Sequence, residues 1–206
     1  MLFRSLSAMF VPKKVVRAKV TYADIAGLEG KSDSGGISGA LLNTLSQMDG
    51  FIHVVRQFEN PSVPHRQSSI DPRRDLAVME AELILNDLIL VERKLKRLEE
   101  ERQRGGIGRD KAVIQRETDL FEKLNELLSQ EMPLRNVTFT EEEERMLSSY
   151  GFLSRKPQLI VLNLSEDQQP EPIETPFANT RLVAMPARLE MDIAQLPPEE
   201  AEIFLA

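Results

Sequence analysis

From Asp71 to Tyr150 the chain reads almost entirely as helix, and this helical stretch stands between two stretches of strand-like sequence. Leu76, Met79, Leu83, Ile84, Leu88, Val91, Leu95 and Leu98 step by threes and fours, while Glu92, Arg93, Lys94, Lys96, Arg97, Glu99 and Glu100 fill the other faces. The pattern breaks at Arg104, before Gly105, Gly106 and Gly108, and resumes with Val113, Leu120, Leu124 and Leu127 up to Pro133. Two amphipathic helices joined by a short glycine-rich turn are expected to pack as an antiparallel hairpin or coiled coil. If 76–104 is all helix, that arm is roughly 40 Å long at about 1.5 Å per residue. Thr140 ahead of EEEERMLSSY, with Glu143 three residues on, predicts a capping box and one further helix.

The flanking stretches follow a different period. VVRAKVTY at 15–22 alternates Val16, Ala18, Val20 and Tyr22, which predicts a strand entering Asp24. A Gly/Ser-rich loop follows to Gly39, then a helix over 40–48 carrying Leu41, Leu42, Leu45 and Met48, then a strand over 51–58. Strand, helix, strand is the signature of a parallel sheet. After the arm come QLIVLN, a Pro-rich linker, a strand over RLVA at 181–184, and a helix with Leu189, Ile193 and Leu196. The expected fold is therefore α/β, with a parallel sheet divided in sequence between residues 1–70 and 151–206 and a helical arm, 71–150, inserted between its strands.

Composition removes several kinds of chemistry. There is no Cys and there are only two His, which excludes disulfides, cysteine-ligated zinc, iron–sulfur clusters and a thiol nucleophile. A net charge of -7 argues against chain-wide phosphate neutralisation, so direct DNA binding is not expected, although a local basic patch remains open. No apolar run approaches the roughly 18 residues of a spanning helix, and a cytoplasmic protein without membrane association is the expectation.

In an open α/β sheet chemistry gathers beyond the carboxyl ends of the strands. Asp24-Ile25-Ala26-Gly27 has the form in which a carboxylate holds Mg²⁺ and a glycine amide faces a terminal phosphate. An Asp ending a turn after a strand would look the same. Asn163-Leu164-Ser165-Glu166 follows QLIVL, and an amide with a carboxylate nearby can match the donors and acceptors of a purine edge. A simple turn is the other reading of that tetrapeptide. His53, among Ile52, Val54 and Val55, reads as a strand residue without chemistry.

KKVVRAKVTYADIAGL, DGFIHVVRQFEN, the segment from SIDPRRDL to AELILNDL, and VLNLSED together resemble successive blocks of the Obg-like ATPases of the YchF type, over nearly the whole chain. The resemblance implies part of a P-loop NTPase domain with an inserted coiled-coil arm, hydrolysing ATP or possibly GTP with Mg²⁺ in association with the ribosome. It implies Asp24 as metal residue, Gly27 as phosphate sensor, and Asn163, Leu164 and Glu166 at the base-specificity position, where most relatives carry Asn-Lys-x-Asp for guanine. Leu28 stands where signalling GTPases place a water-orienting glutamine, and leucine cannot hydrogen-bond. The resemblance instead carries His65, in the loop ENPSVPH, onto the residue that positions the attacking water. A solvated loop histidine is the plain alternative.

The chain also departs from the family pattern. No Gly-x-x-x-x-Gly-Lys-Ser/Thr occurs, and GLEGKS at 27–32 has the wrong spacing, so the phosphate cradle is absent from these 206 residues. Gly35, Gly36 and Gly39 follow an altered pattern, and Pro186-Ala187-Arg188 stands where the family has Ser-Ala-Lys. The expectation is a chain truncated at the amino end, lacking also the family's C-terminal TGS domain, and incompetent in hydrolysis alone. The alternative is a non-catalytic interaction module acting through the helical arm.

Overall fold

A computed structural model describes residues 9–10, 14, 16, 18–25, 37, 39–65, 69–104, 109–170, 172–173 and 179–205. Its centre is a three-stranded sheet of β1 (Phe51–Arg56), β2 (Gln158–Asn163) and β3 (Thr180–Met185), in the order β1-β2-β3 and parallel throughout. The strands run in step: Phe51 faces Gln158 and Thr180 at one end, and Arg56 faces Asn163 and Met185 at the other. The helices are α1 (Gly39–Gln47), α2 (Pro72–Gln103), α3 (Lys111–Ser129), α4 (Glu141–Leu147), α5 (Ala187–Ala194) and α6 (Pro198–Leu205), with a 3-10 turn over Leu134–Asn136. The arm therefore does connect two neighbouring strands of one sheet, since β1 and β2 are adjacent in space and separated by α2, α3 and α4 in sequence.

Local signals explain where the helices begin and end. Asp71 caps α2 by accepting from the Arg74 N–H at 3.0 Å, and Pro72 takes the first turn, where its missing N–H costs nothing. Asp110 caps α3 in the same manner through the Ala112 N–H. Thr140 and Glu143 form the expected reciprocal capping box. The end of α3 is a Schellman arrangement, with the Met132 N–H bonded to Leu127 O and the Glu131 N–H to Leu128 O. It places Glu131 at φ 58, a left-handed position that glycine would occupy with less strain.

At about 1.5 Å per residue α2 is roughly 48 Å long, and its two halves serve different cores. Its first turns pack on the sheet, with Leu76 against Val55, Ile160 and Leu162, and Leu83 against Ile37 and Leu153 beneath α1. Its later turns pair with α3, where Ile84 and Val91 meet Leu120, Phe121, Leu124 and Leu128. Phe121 also meets Tyr150 edge-on at 5.1 Å between ring centroids, which draws the segment leaving the arm against the hairpin. That segment then presses on α1, because a Cβ at Gly151 would come within 2.7 Å of the Ser46 Cβ.

The strand expected over 15–22 is corrected by the structure. Residues 18–25 carry no strand pairing, and Val16, Val20 and Tyr22 are exposed. Period-two alternation gives a segment a face to bury, but a strand also needs a ladder partner, and none is in place beside it among the described residues. The β1–β2 and β2–β3 pairs supply the parallel sheet instead of a unit built on 15–22 and 51–58. Ile52, Val54 and Val183, on one face of that sheet, are exposed among the described residues. Among the described residues no helix is long and apolar enough to cross a membrane.

Candidate functional site

In this parallel sheet the carboxyl ends of all three strands lie level, at Arg56, Asn163 and Met185. Ladder bonds continue one residue beyond them, from the Gln57 N–H to Asn163 O at 2.9 Å and from the Leu164 N–H to Met185 O at 3.0 Å. The loops leaving this edge carry most of the candidate residues that the structure describes.

Asn163 ends β2. Its Oδ1 accepts from the Ala187 N–H at 3.1 Å, at the first residue of α5, so the carboxamide is held by a helix start and its Nδ2 donors are turned to the other side. Leu164 is buried in the sheet core with Val55, Ile160 and Leu162 and serves as the anchor of the loop. Glu166 is exposed at the crest of the turn that follows. Gln168 closes this turn: its Oε1 accepts from Ser165 N–H at 3.2 Å, and its Nε2 donates to Gln57 O at 2.9 Å, tying the loop after β2 to the loop after β1. Asn163 at the end of β2 and Glu166 on the turn beyond it thus flank Leu164, which is packed into the core. Sequence inspection missed Gln168 because a glutamine in a polar loop carries no spacing signal.

The loop after β1 is organised by Arg56. Its guanidinium donates to Phe58 O at 2.9 Å and Val63 O at 2.8 Å and stacks over the Phe58 ring. Asn60 Oδ1 accepts from the Ser62 N–H in an Asx turn. His65 ends this loop, half-buried, with Nε2 3.0 Å from Asp75 Oδ2 in the first turn of α2. Arg74 holds the other oxygen of Asp75 at 3.0 Å. A carboxylate on one imidazole nitrogen fixes the orientation of the ring. Asp75 is a second residue that sequence reasoning missed: in PRRDLAV it looks only like an acidic first turn.

His53 behaves as expected of a strand residue. It faces inward on β1, its Nδ1 is buried without a hydrogen-bond partner, and burial holds its pKa below the ordinary range against the opposing pull of Asp75. Asp24 is exposed and is not brought against the loops after β1 or β2 by any hydrogen bond or ion pair among the described residues. Gly27 and Leu28 lie outside the described residues, as do the altered glycines Gly35 and Gly36. Among the described residues no group of three or more His, Asp or Glu could hold a metal ion, so Asp24 supplies a single carboxylate, short of the oxygen set a hard cation takes.

Comparison with known proteins bears on this edge of the sheet. No protein-family model matches the chain. The ribosome-binding ATPase YchF of Bacillus subtilis is 31% identical over 98% of this chain, and the protein of the same name from Haemophilus influenzae is 32% identical over 98%. Obg-like ATPase 1 of Saccharomyces cerevisiae is 29% identical over 91%. In structure, the YchF GTPase of Schizosaccharomyces pombe superposes with a TM-score of 0.76 at 28% identity, over 97% of this chain and 56% of that one. The chain spans 57% of the length of the Bacillus protein and 50% of the yeast protein.

Proposed function

We propose that this chain, similar over nearly its whole length to proteins named ribosome-binding ATPase YchF and Obg-like ATPase 1, forms the base-reading and switch side of a nucleotide-binding protein that takes ATP, or GTP in its place, in association with the ribosome. In this reading residues 1–70 and 151–206 are the two parts of the nucleotide domain, and 71–150 is its inserted arm.

The observation that carries the reading is the pinned carboxamide of Asn163 at the carboxyl edge of the sheet, with Glu166 on the turn just beyond it. An amide whose oxygen is already engaged offers N–H donors, which suit the ring-nitrogen acceptors of a purine. A carboxylate accepts from an exocyclic amino group, and adenine carries one at the position where guanine presents a carbonyl. Guanine too offers donors, at N1 and N2, so the carboxylate alone does not choose between the bases; Glu166 in the place of a guanine-reading Asp is the departure that the family resemblance associates with acceptance of ATP. Leu164 supplies buried anchorage and no contact chemistry of its own.

Gly27 would offer a backbone amide to the terminal phosphate, and His65, oriented by Asp75, would hold the attacking water and accept its proton. Asp24 would be the protein's contact to Mg²⁺, which arrives with the nucleotide's own phosphate oxygens and neutralises charge there when bound. No Gly-x-x-x-x-Gly-Lys-Ser/Thr cradle is present in the 206 residues, so affinity is expected to be weak.

The test is titration of the 206-residue chain with a fluorescent ATP analogue in the presence of Mg²⁺. Weak saturable binding, displaced by ATP more readily than by GTP and lost in Asn163→Ala, is expected. Absence of saturable binding, or binding untouched by Asn163→Ala, overturns the assignment of this site.

A further inference from the structure

One carboxamide joins the two loops that leave the carboxyl edge of the sheet. Gln168 Oε1 accepts from the Ser165 N–H at 3.2 Å and from the Ser165 hydroxyl at 3.3 Å, which closes the turn carrying Glu166. The Nε2 of the same side chain donates to Gln57 O at 2.9 Å. Gln57 is buried and is fastened to this segment twice more, since its N–H donates to Asn163 O at 2.9 Å and its Nε2 to Gln169 O at 3.4 Å. The first residue after β1 is therefore held to residues 163–169 by its N–H, its C=O and its side chain.

Arg56 carries the fastening onward. Its guanidinium donates to Phe58 O, to Val63 O and, at 3.4 Å, to Asn60 O, and the Val63 N–H returns to Asn60 O at 3.1 Å, so residues 58–63 are gathered about the end of β1. His65 lies two residues further on. Its bond to Asp75 is partly exposed, and Arg74 engages the same carboxylate. An ion pair of this kind has a small net free energy, so a modest bias is enough to open or close it. The path from the Glu166 turn through Gln168, Gln57 and the Arg56 loop to His65 is thus contiguous, and its last link has two arrangements.

We propose that filling of the base site is signalled to His65 along this path, with Gln168 as the coupling residue: the loop after β1 closes on Asp75 when a purine base engages Asn163 and Glu166. The coupling rests on the nucleotide reading above and adds to it a regulation of the same site. A base held between the Asn163 amide and the Glu166 carboxylate restricts the turn. Gln168 passes the restriction to Gln57, because one side chain holds both. The base then binds the closed arrangement better than the open one, which is the only way a ligand can shift such an equilibrium. The consequence is that His65 is placed by recognition of the base rather than by phosphate alone.

The experiment titrates the ¹⁵N-labelled 206-residue chain with adenosine, which carries the base and has no phosphate to reach His65 directly. The side-chain amide signals of Asn163 report occupancy of the base site. The ring signals of His65, told apart from those of His53, the other histidine of the chain, by their loss in His65→Gln, report the far end of the path. In the wild type both sets should move along one saturation curve, and exchange of the Val63 amide should slow by about fivefold. Gln168→Glu keeps an acceptor for Ser165 and removes the donor to Gln57 O. In this variant the Asn163 signals should still move, while the His65 signals and the Val63 exchange no longer respond. Affinity for adenosine should fall by no more than about fivefold, the coupling factor itself, because linkage is reciprocal.

Saturable movement at Asn163 with a silent His65 in the wild type overturns the coupling and leaves the base site standing. An undiminished His65 response in Gln168→Glu does the same. Loss of both responses in Gln168→Glu would make Gln168 part of the base pocket and overturn it as a coupling residue. Absence of any movement at Asn163 in the wild type overturns the base-reading assignment, and the coupling with it.

Discussion

The carboxylate of Asp87, buried midway along α2, accepts hydrogen bonds from the backbone N–H groups of Leu153 at 2.8 Å and Ser154 at 2.7 Å. It joins the arm's long helix to the turn that leads into β2. Asp87 and Leu153 are 66 positions apart in sequence. The turn is fixed from other directions as well. Ser154 Oγ accepts from the Leu134 N–H, and Lys156 donates to Ser46 O at 2.9 Å and to Met48 O at the end of α1.

Replacing Asp87 by Asn keeps the volume but leaves one of the two N–H donors facing an NH₂ group. A buried donor without an acceptor costs about 1–3 kcal/mol. Asp87→Asn is therefore expected to lower the unfolding free energy from urea titration by that much, moving the midpoint down at an unchanged m-value, and to speed amide exchange at Leu153 or Ser154. Unaltered exchange at both amides would show that the side chain does not hold the turn.

The same group gives a signed pH dependence. Burial raises the Asp87 pKa to about 6, against the hydrogen bonds of Ser154 and Leu153 and the charge of Lys156. Between the ordinary carboxylate range and about 6 the native state keeps a proton that the unfolded chain has released, so this group's contribution to stability is present at low pH and is lost as pH rises through about 6. Asp87→Asn removes that dependence. The stability advantage of wild type over the variant should shrink from pH 4.5 to pH 7, and an advantage that grows over this range would contradict the assignment. His53 acts in the opposite sense, because its pKa is held low and the unfolded chain takes up the proton first on acidification.

Arg135 is the second link between arm and sheet. Its side chain is fully buried; it pairs with Glu80 on α2 and donates to Ser154 O at 3.0 Å and Thr180 Oγ1 at 3.2 Å. Arg135→Met strands the Glu80 carboxylate in the interior, at a cost of about 3–5 kcal/mol. The double variant Arg135→Met/Glu80→Met should recover a large part of this loss. Additive losses in thermal or urea unfolding would mean that the two charges do not act as a pair.

The His65–Asp75 pair is partly exposed, with side-chain accessibilities of 17% and 20%, so its weight in stability is expected to stay within about 1 kcal/mol. If Asp75 positions His65 for the proposed chemistry, His65→Ala and Asp75→Asn, each placed in a longer chain that carries a Gly-x-x-x-x-Gly-Lys-Ser/Thr segment ahead of these residues, should slow phosphate release from ATP by at least about tenfold while the melting temperature moves little. A shift in melting temperature with an unchanged rate would make the pair a staple between the loop after β1 and α2.

Much of the architecture was legible before any coordinates. The heptad from Leu76 to Leu98, the Thr140–Glu143 capping box, and the apolar runs FIHVVRQF and QLIVLN each follow a period or a cap that acts within a few residues, and all four are found, the first strand stopping two residues short at Arg56. The placement of Asn163 at the end of a strand, with Leu164 and Glu166 following it, was likewise readable from the end of an apolar run. The strand over 15–22 shows the limit, since alternation is local but a hydrogen-bonded ladder is not.

The sequence by itself determined where this chain is helical and where it is extended, because those preferences come from side-chain spacing, capping and turn chemistry close at hand. Tertiary structure alone decided which polar residues are joined across long separations. Asp87 with Leu153 and Ser154, Arg135 with Glu80, His65 with Asp75, Gln168 with Gln57, and Asn163 with Ala187 are paired by the path of the chain rather than by any period in it. Burial makes the Asp87 and Arg135–Glu80 links compulsory, since a polar group removed from water must find a partner wherever the packing has placed one.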